Sequence, residues 1–328
     1  MHIPDGYLGP RTCGFFYASM FFVWYVALRH VEKKAGIRQL PLVAFASAFV
    51  FVIMMFNFPI PGGSAGHIVG GAVAACALGP WAGVLAMSTA LFMQAILFGD
   101  GGITAFGANS FNMAFAMSFS GYYIFRFLSN SMAGGGGRGG SKKIWLAAFF
   151  AGYVSINIAA LLTALELGIQ PLIEHDMAGM PLYAPYPLSI TLPAMVVPHL
   201  LFFGPIEGFS TAIIVSYLVR KNEQFLIEPK KAKISPLWAL LFILILFVPL
   251  GLIYSKTPWG EWGTDELKTL LGYVPEGLSG FHGMWRGLFP GYAVLGVSPF
   301  AGYIISAFLG SVLIVFFIYL LGRLWKRS

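Results

Sequence analysis

Apolar runs recur along the whole chain, at about 13–30, 39–57, 65–79, 82–99, 106–128, 144–168, 188–220, 236–255 and 299–322. A helix that crosses a bilayer needs about 20 apolar residues, or fewer where protein shields it. The pattern therefore predicts an all-α integral membrane protein of about nine spans. Two runs stand apart. The third, Ala65 to Gly79, is short and rich in Gly and Ala, which places it inside the bundle. The seventh is long for a single span and carries Pro193, Pro198 and Pro205, so a kinked helix or an interfacial start is expected.

The polar positions between the runs set an orientation. With the amino terminus outside, the inner segments collect Arg29, Lys33, Lys34, Arg38, Arg126, Arg138, Lys142, Lys143, Arg220, Lys221, Lys230, Lys231, Lys233, Arg323, Lys326 and Arg327. That is 16 of the 20 basic residues, as the excess of Lys and Arg in cytoplasmic loops requires. Arg11, Lys256, Lys268 and Arg286 stay outside, beside acidic residues such as Asp5, Asp100, Glu174, Glu261 and Glu276. Splitting the seventh run into two spans would move the Arg220–Lys233 cluster outside, so one span is preferred. The carboxy terminus is then cytoplasmic. Two units follow: residues 1–225 with seven spans, and residues 226–328 with two spans around an outer loop at about 256–298. That loop contains Trp259-Gly260-Glu261-Trp262-Gly263, whose aromatic content suits packing on the first unit's outer face. The glycine run 134–140 reads as an inner-side linker.

Composition narrows the class. The chain is 58% hydrophobic and 10% charged, with a mean hydropathy of +0.77. Soluble domains carry about 25% charged residues. The net charge of +7 lies in residues that punctuate apolar runs, so it marks a lipid bilayer and no nucleic-acid partner. No basic start leads into a short apolar core and cleavage site, so no removable signal peptide is expected. Cys13 and Cys76 have no metal-ligand spacing. Segment 135–143 lacks the Gly-Lys-Ser/Thr ending of a phosphate loop, and neither His-Glu-x-x-His nor Gly-x-Ser-x-Gly occurs. The chain is expected to be no enzyme, to hold no cofactor and to hydrolyse no ATP itself.

What chemistry remains is concentrated at the start. In Met1-His2, the α-amine, the His2 amide nitrogen and one imidazole nitrogen can close a five-membered and a six-membered ring on one metal. Three roughly coplanar nitrogens suit nickel(II) or copper(II) and can hold cobalt(II). Such binding displaces protons, so affinity should rise with pH. A terminal tip can equally be disordered. His67 follows the Pro/Gly-rich stretch Pro59 to Gly66, whose irregular backbone is tolerable at membrane depth only around an enclosed cavity. A lone histidine at a helix start is commonly just a satisfied polar residue; beside Met1-His2 it would supply a fourth nitrogen. His199 and Glu207 are intramembrane, where ionisable groups suggest function, although a structural hydrogen bond serves as well. Asp100 and Asn109 are further candidates near the same outer face. His30 reads as interfacial; His175, in Glu174-His175-Asp176, reads as a solvated outer-loop residue or part of a weak metal-attracting cluster; His282 lies in the long outer loop with no partner that sequence identifies.

Met1-His2-Ile3-Pro4-Asp5-Gly6-Tyr7-Leu8, Pro59-Ile60-Pro61-Gly62-Gly63, Gly66-His67, Phe98 to Thr104 and Gly107 to Met113 carry a resemblance to the CbiM/NikM family. Its members are cobalt or nickel substrate-capture (S) components of energy-coupling-factor transporters. The likeness covers about residues 1–220. The tail from about 236 resembles the CbiN/NikN type by its layout. The resemblance implies a metal held by the Met1 amine, the His2 backbone nitrogen, the His2 ring and the His67 ring. It also implies a multi-pass protein of a prokaryotic cytoplasmic membrane, carrying Ni2+ or Co2+ as cargo. Its partners would be a transmembrane coupling (T) protein and two ATP-binding cassette ATPases. A self-sufficient divalent-cation channel or secondary transporter is the alternative reading.

Overall fold

The computed structural model describes residues 1–35, 39–60, 64–132, 141–221, 235–253 and 257–325. The glycine run 134–140, most of the charged linker after Lys221, and Pro61-Gly62-Gly63 lie outside the described residues.

The chain is mostly helical. Helices α1 (Pro10–Ala35) and α2 (Leu40–Met54) lead into a short antiparallel hairpin of β1 (Asn57–Ile60) and β2 (Ser64–His67), in register Asn57↔His67 and Phe58↔Gly66. Next come α3 (Gly71–Leu78), α4 (Pro80–Met93), α5 (Phe106–Asn109), α6 (Met117–Met132), α7 (Ser141–Gly168) and α8 (Gln170–Ile173). Then follow α9 (Leu188–Pro198), α10 (Gly204–Lys221), α11 (Ser235–Phe247), α12 (Thr264–Leu271), α13 (Glu276–Phe281) and α14 (Pro299–Trp325). Among the described residues, four helical stretches are long and apolar enough to cross a membrane: Pro80–Phe98, Lys142–Ile173, Leu188–Arg220 and Pro299–Arg323. Leu40–Met54 and Leu237–Ile253 are shorter apolar helices.

Two expectations change. The chain is not wholly α-helical, because the hairpin occupies the start of the third apolar run. What remains of that run is α3, eight residues and about 12 Å long at 1.5 Å per residue. It is too short to span, and it is enclosed: Gly71 through Cys76 are all buried. A polar backbone segment at this position is tolerable because neighbouring helices surround it.

The seventh run forms a single helical stretch, interrupted where Pro198 meets a wide turn at His199–Phe203 with i→i+5 hydrogen bonding. Similar wide turns occur at Gln94–Phe98, continuing α4, and Ser110–Ala116, between α5 and α6. Such turns re-aim the side chains that follow them. All three lie next to residues that surround the amino-terminal tip. In the tail, α14 packs along α2, and α11 lies against both. Phe51, Phe98 and Tyr292 stack in the resulting core, with Phe98 and Tyr292 centroids 4.6 Å apart.

Candidate metal centre

The amino-terminal tip is folded inward. Met1, His2, Ile3, Asp5, Gly6, Tyr7 and Leu8 are all buried. Ile3 is held by the Asn109 side chain, whose Oδ1 accepts from Ile3 N (2.8 Å) while its Nδ2 donates to Ile3 O (3.0 Å). Gly102 N also donates to Ile3 O, at 2.9 Å. Asp5 Oδ1 accepts from the Thr104 amide at 2.7 Å and from its hydroxyl at 2.6 Å. The loop after α4 thus grips the tip along its main chain and leaves the side chain of His2 facing the hairpin.

There His2 meets His67. Their rings stack with centroids 4.9 Å apart and planes inclined by 24°. The Nε2 atoms of both rings are shielded from solvent and have no hydrogen-bond partner. His67 Nδ1 lies 3.1 Å from Ile68 O, so its Nδ1–H donates there and Nε2 keeps the lone pair. Burial first, and then the nearby terminal ammonium, lower the His2 pKa from 6.5 to about 3. Burial, followed by the charge of His2 and of the terminus, also depresses His67. Both rings are therefore neutral near pH 7, the state in which imidazole binds a metal.

Two of the other candidate donors, the Met1 amine and His2 Nδ1, are engaged by carboxylates. The Met1 ammonium is 3.3 Å from Glu261 Oε1. Burial pushes the Glu261 carboxyl upward, and the ammonium draws it back. His2 Nδ1 is 3.2 Å from Asp100 Oδ1. A six-membered ring from the His2 amide nitrogen can close only through Nδ1. Chelation therefore requires the imidazole to turn about its Cβ–Cγ bond and release Asp100. Asp100 is itself fixed by Tyr292, whose hydroxyl donates to Oδ2 at 2.5 Å, and by Gln94 Nε2 at 3.3 Å.

The remaining sequence candidates occupy different places. Asn109 spends both ends of its amide on Ile3, which makes it a clamp on the tip rather than a metal donor. His199 Nδ1 is 2.6 Å from Met195 O on its own helix, and its ring packs against Phe203. Glu207 accepts two backbone N–H bonds from Val69 and Gly70. Among the described residues, no three or more His, Cys, Asp and Glu side chains form a metal-holding group.

Sequence reasoning did not single out Glu261, Tyr292 or Gln94. The first two belong to the tail, whose outer loop covers the tip. Tyr7 Oη donates to Trp262 O (2.8 Å), Leu278 N to Leu182 O (2.9 Å), Trp285 Nε1 to Ile96 O (2.9 Å) and Phe289 N to Leu97 O (2.7 Å). Gly6, at φ +86°, lies so close to the loop that a Cβ there would sit 2.6 Å from Leu278 O. The aromatic loop signalled packing on the first unit, but nothing local marked these particular residues. Glu166, a buried intramembrane carboxylate bonded to Asn112 (2.8 Å), was also missed; its position inside the sixth apolar run was the available signal.

Fold and site together define a polytopic membrane protein with an inward-folded terminus against two neutral imidazoles. Comparison with known proteins is specific. Residues 2–225 match the model of CbiM, described as the cobalt uptake substrate-specific transmembrane region, and residues 235–327 match the PDGLE domain, which is CbiN-like. The chain belongs to the CbiM family, a family of membrane nickel and cobalt transport proteins. The fused nickel transport protein NikMN of Rhodobacter capsulatus is 44% identical over 340 residues, covering 96% of this chain and 95% of the relative. The probable fused nickel transport protein LarMN of Lactiplantibacillus plantarum is 43% identical, covering 94% and 93%. A crystal structure of a truncated transition metal transporter is 47% identical with a TM-score of 0.62, covering 67% of this chain and 99% of that one.

Proposed function

We propose that this chain captures Ni2+ or Co2+ at the outer face of a prokaryotic cytoplasmic membrane, as the S component of an energy-coupling-factor transporter. In this reading the amino terminus faces outside and the carboxy terminus faces the cytoplasm. A transmembrane T protein and two ATP-binding cassette ATPases act with it and supply the hydrolysis. The metal is cargo, held by the Met1 amine, the His2 amide nitrogen, His2 Nδ1 and His67 Nε2.

The observation that carries this reading is the pair of stacked, neutral rings of His2 and His67 beside the chain's α-amine. Four nitrogens of this kind favour a square-planar ion, and relatives named as nickel transport proteins support nickel as the first metal to test. His67 Nε2 is available without rearrangement. His2 Nδ1 becomes available when the ring leaves Asp100, and the amine when it leaves Glu261.

The test is direct. One residue inserted ahead of Met1 moves the α-amine out of the five-membered ring, and His67→Ala removes the fourth donor. Each should weaken nickel binding at least about tenfold, a loss of roughly 1.4 kcal/mol, and shift the absorption of the bound ion away from a square-planar spectrum. Unchanged affinity after the insertion would sink the terminal chelate. Unchanged affinity in His67→Ala would remove that ring from the site.

A further inference from the structure

Glu207 is fully buried, and its two oxygens accept from successive peptides: Oε2 from Val69 N at 2.8 Å and Oε1 from Gly70 N at 2.9 Å. These peptides stand two and three residues beyond His67, where β2 turns into α3. The turn is sharp, with Gly70 at φ +77°, and it presents both N–H groups to one carboxylate. One helical turn earlier, Phe203 packs on the residue just before the histidine. Its ring packs so closely on Gly66 that a Cβ there would overlap it. Residues four apart share a helix face, so one end of α10 with its preceding wide turn grips the chain just before and just after His67.

We propose that Glu207 is a positioning residue for metal capture, its carboxylate clamping the Val69–Gly70 peptides so that the His67 ring is held where the fourth nitrogen is needed. This rests on the reading of His67 as a ligand. Two observations favour it over a simple link between helices. A fully buried carboxylate carries a desolvation cost that an apolar contact between helices would not incur, and both of its oxygens are spent on adjacent peptides of one turn. The mounting is also rigid. Helices α7 and α10 approach so closely that a Cβ on Gly152 would sit 2.8 Å from the carbonyl oxygen of Glu207. The backbone that carries the carboxylate is thereby held against α7.

The experiment is a double-mutant cycle in the full-length chain, read by nickel titration and by the absorption of bound nickel. Glu207→Gln keeps the size but turns an amide NH2 toward one of the two N–H groups. It should weaken nickel binding by about 10- to 100-fold, the usual effect of losing a group that orients a ligand. Glu207→Asp, which keeps the charge at shorter reach, should fall between the two. In a His67→Ala background, where only the Met1-His2 donors remain, Glu207→Gln should cost nothing further. An equal loss in both backgrounds would show general loosening and overturn the proposal, as would no loss in either. A His67→Ala chain of unchanged affinity defeats the four-nitrogen reading itself, whereas loss there with an unaffected Glu207→Gln defeats only the positioning role. If Glu207→Gln does not fold, hydrogen exchange on the wild-type chain decides. Val69 and Gly70 amides should be more protected than Ile68 before metal is added, and equal exchange would overturn the clamp.

Discussion

At the scale of single residues, burial decides what the site can do. His2 sits where a charged ring is unfavourable, so its pKa falls from 6.5 to about 3 and one ring nitrogen keeps its lone pair. The same shift makes a stability prediction. Below its ordinary pKa the unfolded chain binds a proton that the folded chain refuses, so His2 destabilises the fold as pH drops from about 6.5 toward 3 and contributes no slope above that window. One such group gives at most about 1.4 kcal/mol per pH unit. Thermal melting of the metal-free protein between pH 6.5 and about pH 4 should therefore show a falling midpoint, shallower in His2→Gln. Equal slopes in the two chains would mean that His2 is not buried in solution. Asn109 illustrates the complementary case: a polar side chain in the right neighbourhood whose hydrogen-bonding capacity is used to hold Ile3.

At the scale of elements, irregular segments define the centre more than the spans do. The hairpin turns His67 toward the tip, and the tip itself is non-helical up to Pro10. The wide turns adjoin or contain Gln94, which holds Asp100, Asn109, which holds Ile3, and Phe203, which packs on Gly66. At Gly6 the tip and the tail's outer loop meet backbone to backbone, at a distance that leaves no room for a side chain. Gly6→Ala tests that seam. Its φ of +86° is unfavourable for alanine, and the new methyl would press on Leu278 O. The tip should separate from the loop, with nickel dissociating several-fold faster and the tip more open to proteolysis. A variant with unchanged dissociation would show that the seam does not restrain the tip.

At the scale of the whole molecule, the tail is both a pair of helices on α2 and a cover over the centre. It supplies Glu261 to the Met1 amine and Tyr292 to Asp100, yet none of the four proposed metal-binding nitrogens. Removing residues from about 232 onward should therefore leave nickel binding in place, weakened less than by His67→Ala, while uptake by the assembled transporter is lost. Binding is read by titration of the detergent-purified chain and uptake by nickel accumulation in cells. A truncated chain that transports normally would leave the cover without a role. One that fails to fold would show that the helices on α2 are needed for the first unit itself.

The sequence by itself determined the class and the apolar segments, and it supplied the candidate donors. Membrane spans are legible because lipid demands continuous apolar runs, a constraint local in the chain. Met1-His2 was legible because the chelate rings depend on covalent connectivity alone. The third run misled for the same reason: an apolar stretch rich in Gly and Ala looks alike whether it spans or folds as a hairpin and an enclosed short helix. Only the tertiary structure decided that His2 faces His67, that Asp100 and Glu261 hold the donors in the metal-free chain, and that Glu207 meets the peptides after His67. Those pairs lie 65, 98, 260 and 138 positions apart in the numbering. No local pattern encodes such contacts, because they depend on how the helices pack and on which polar groups are left to satisfy one another once water is excluded.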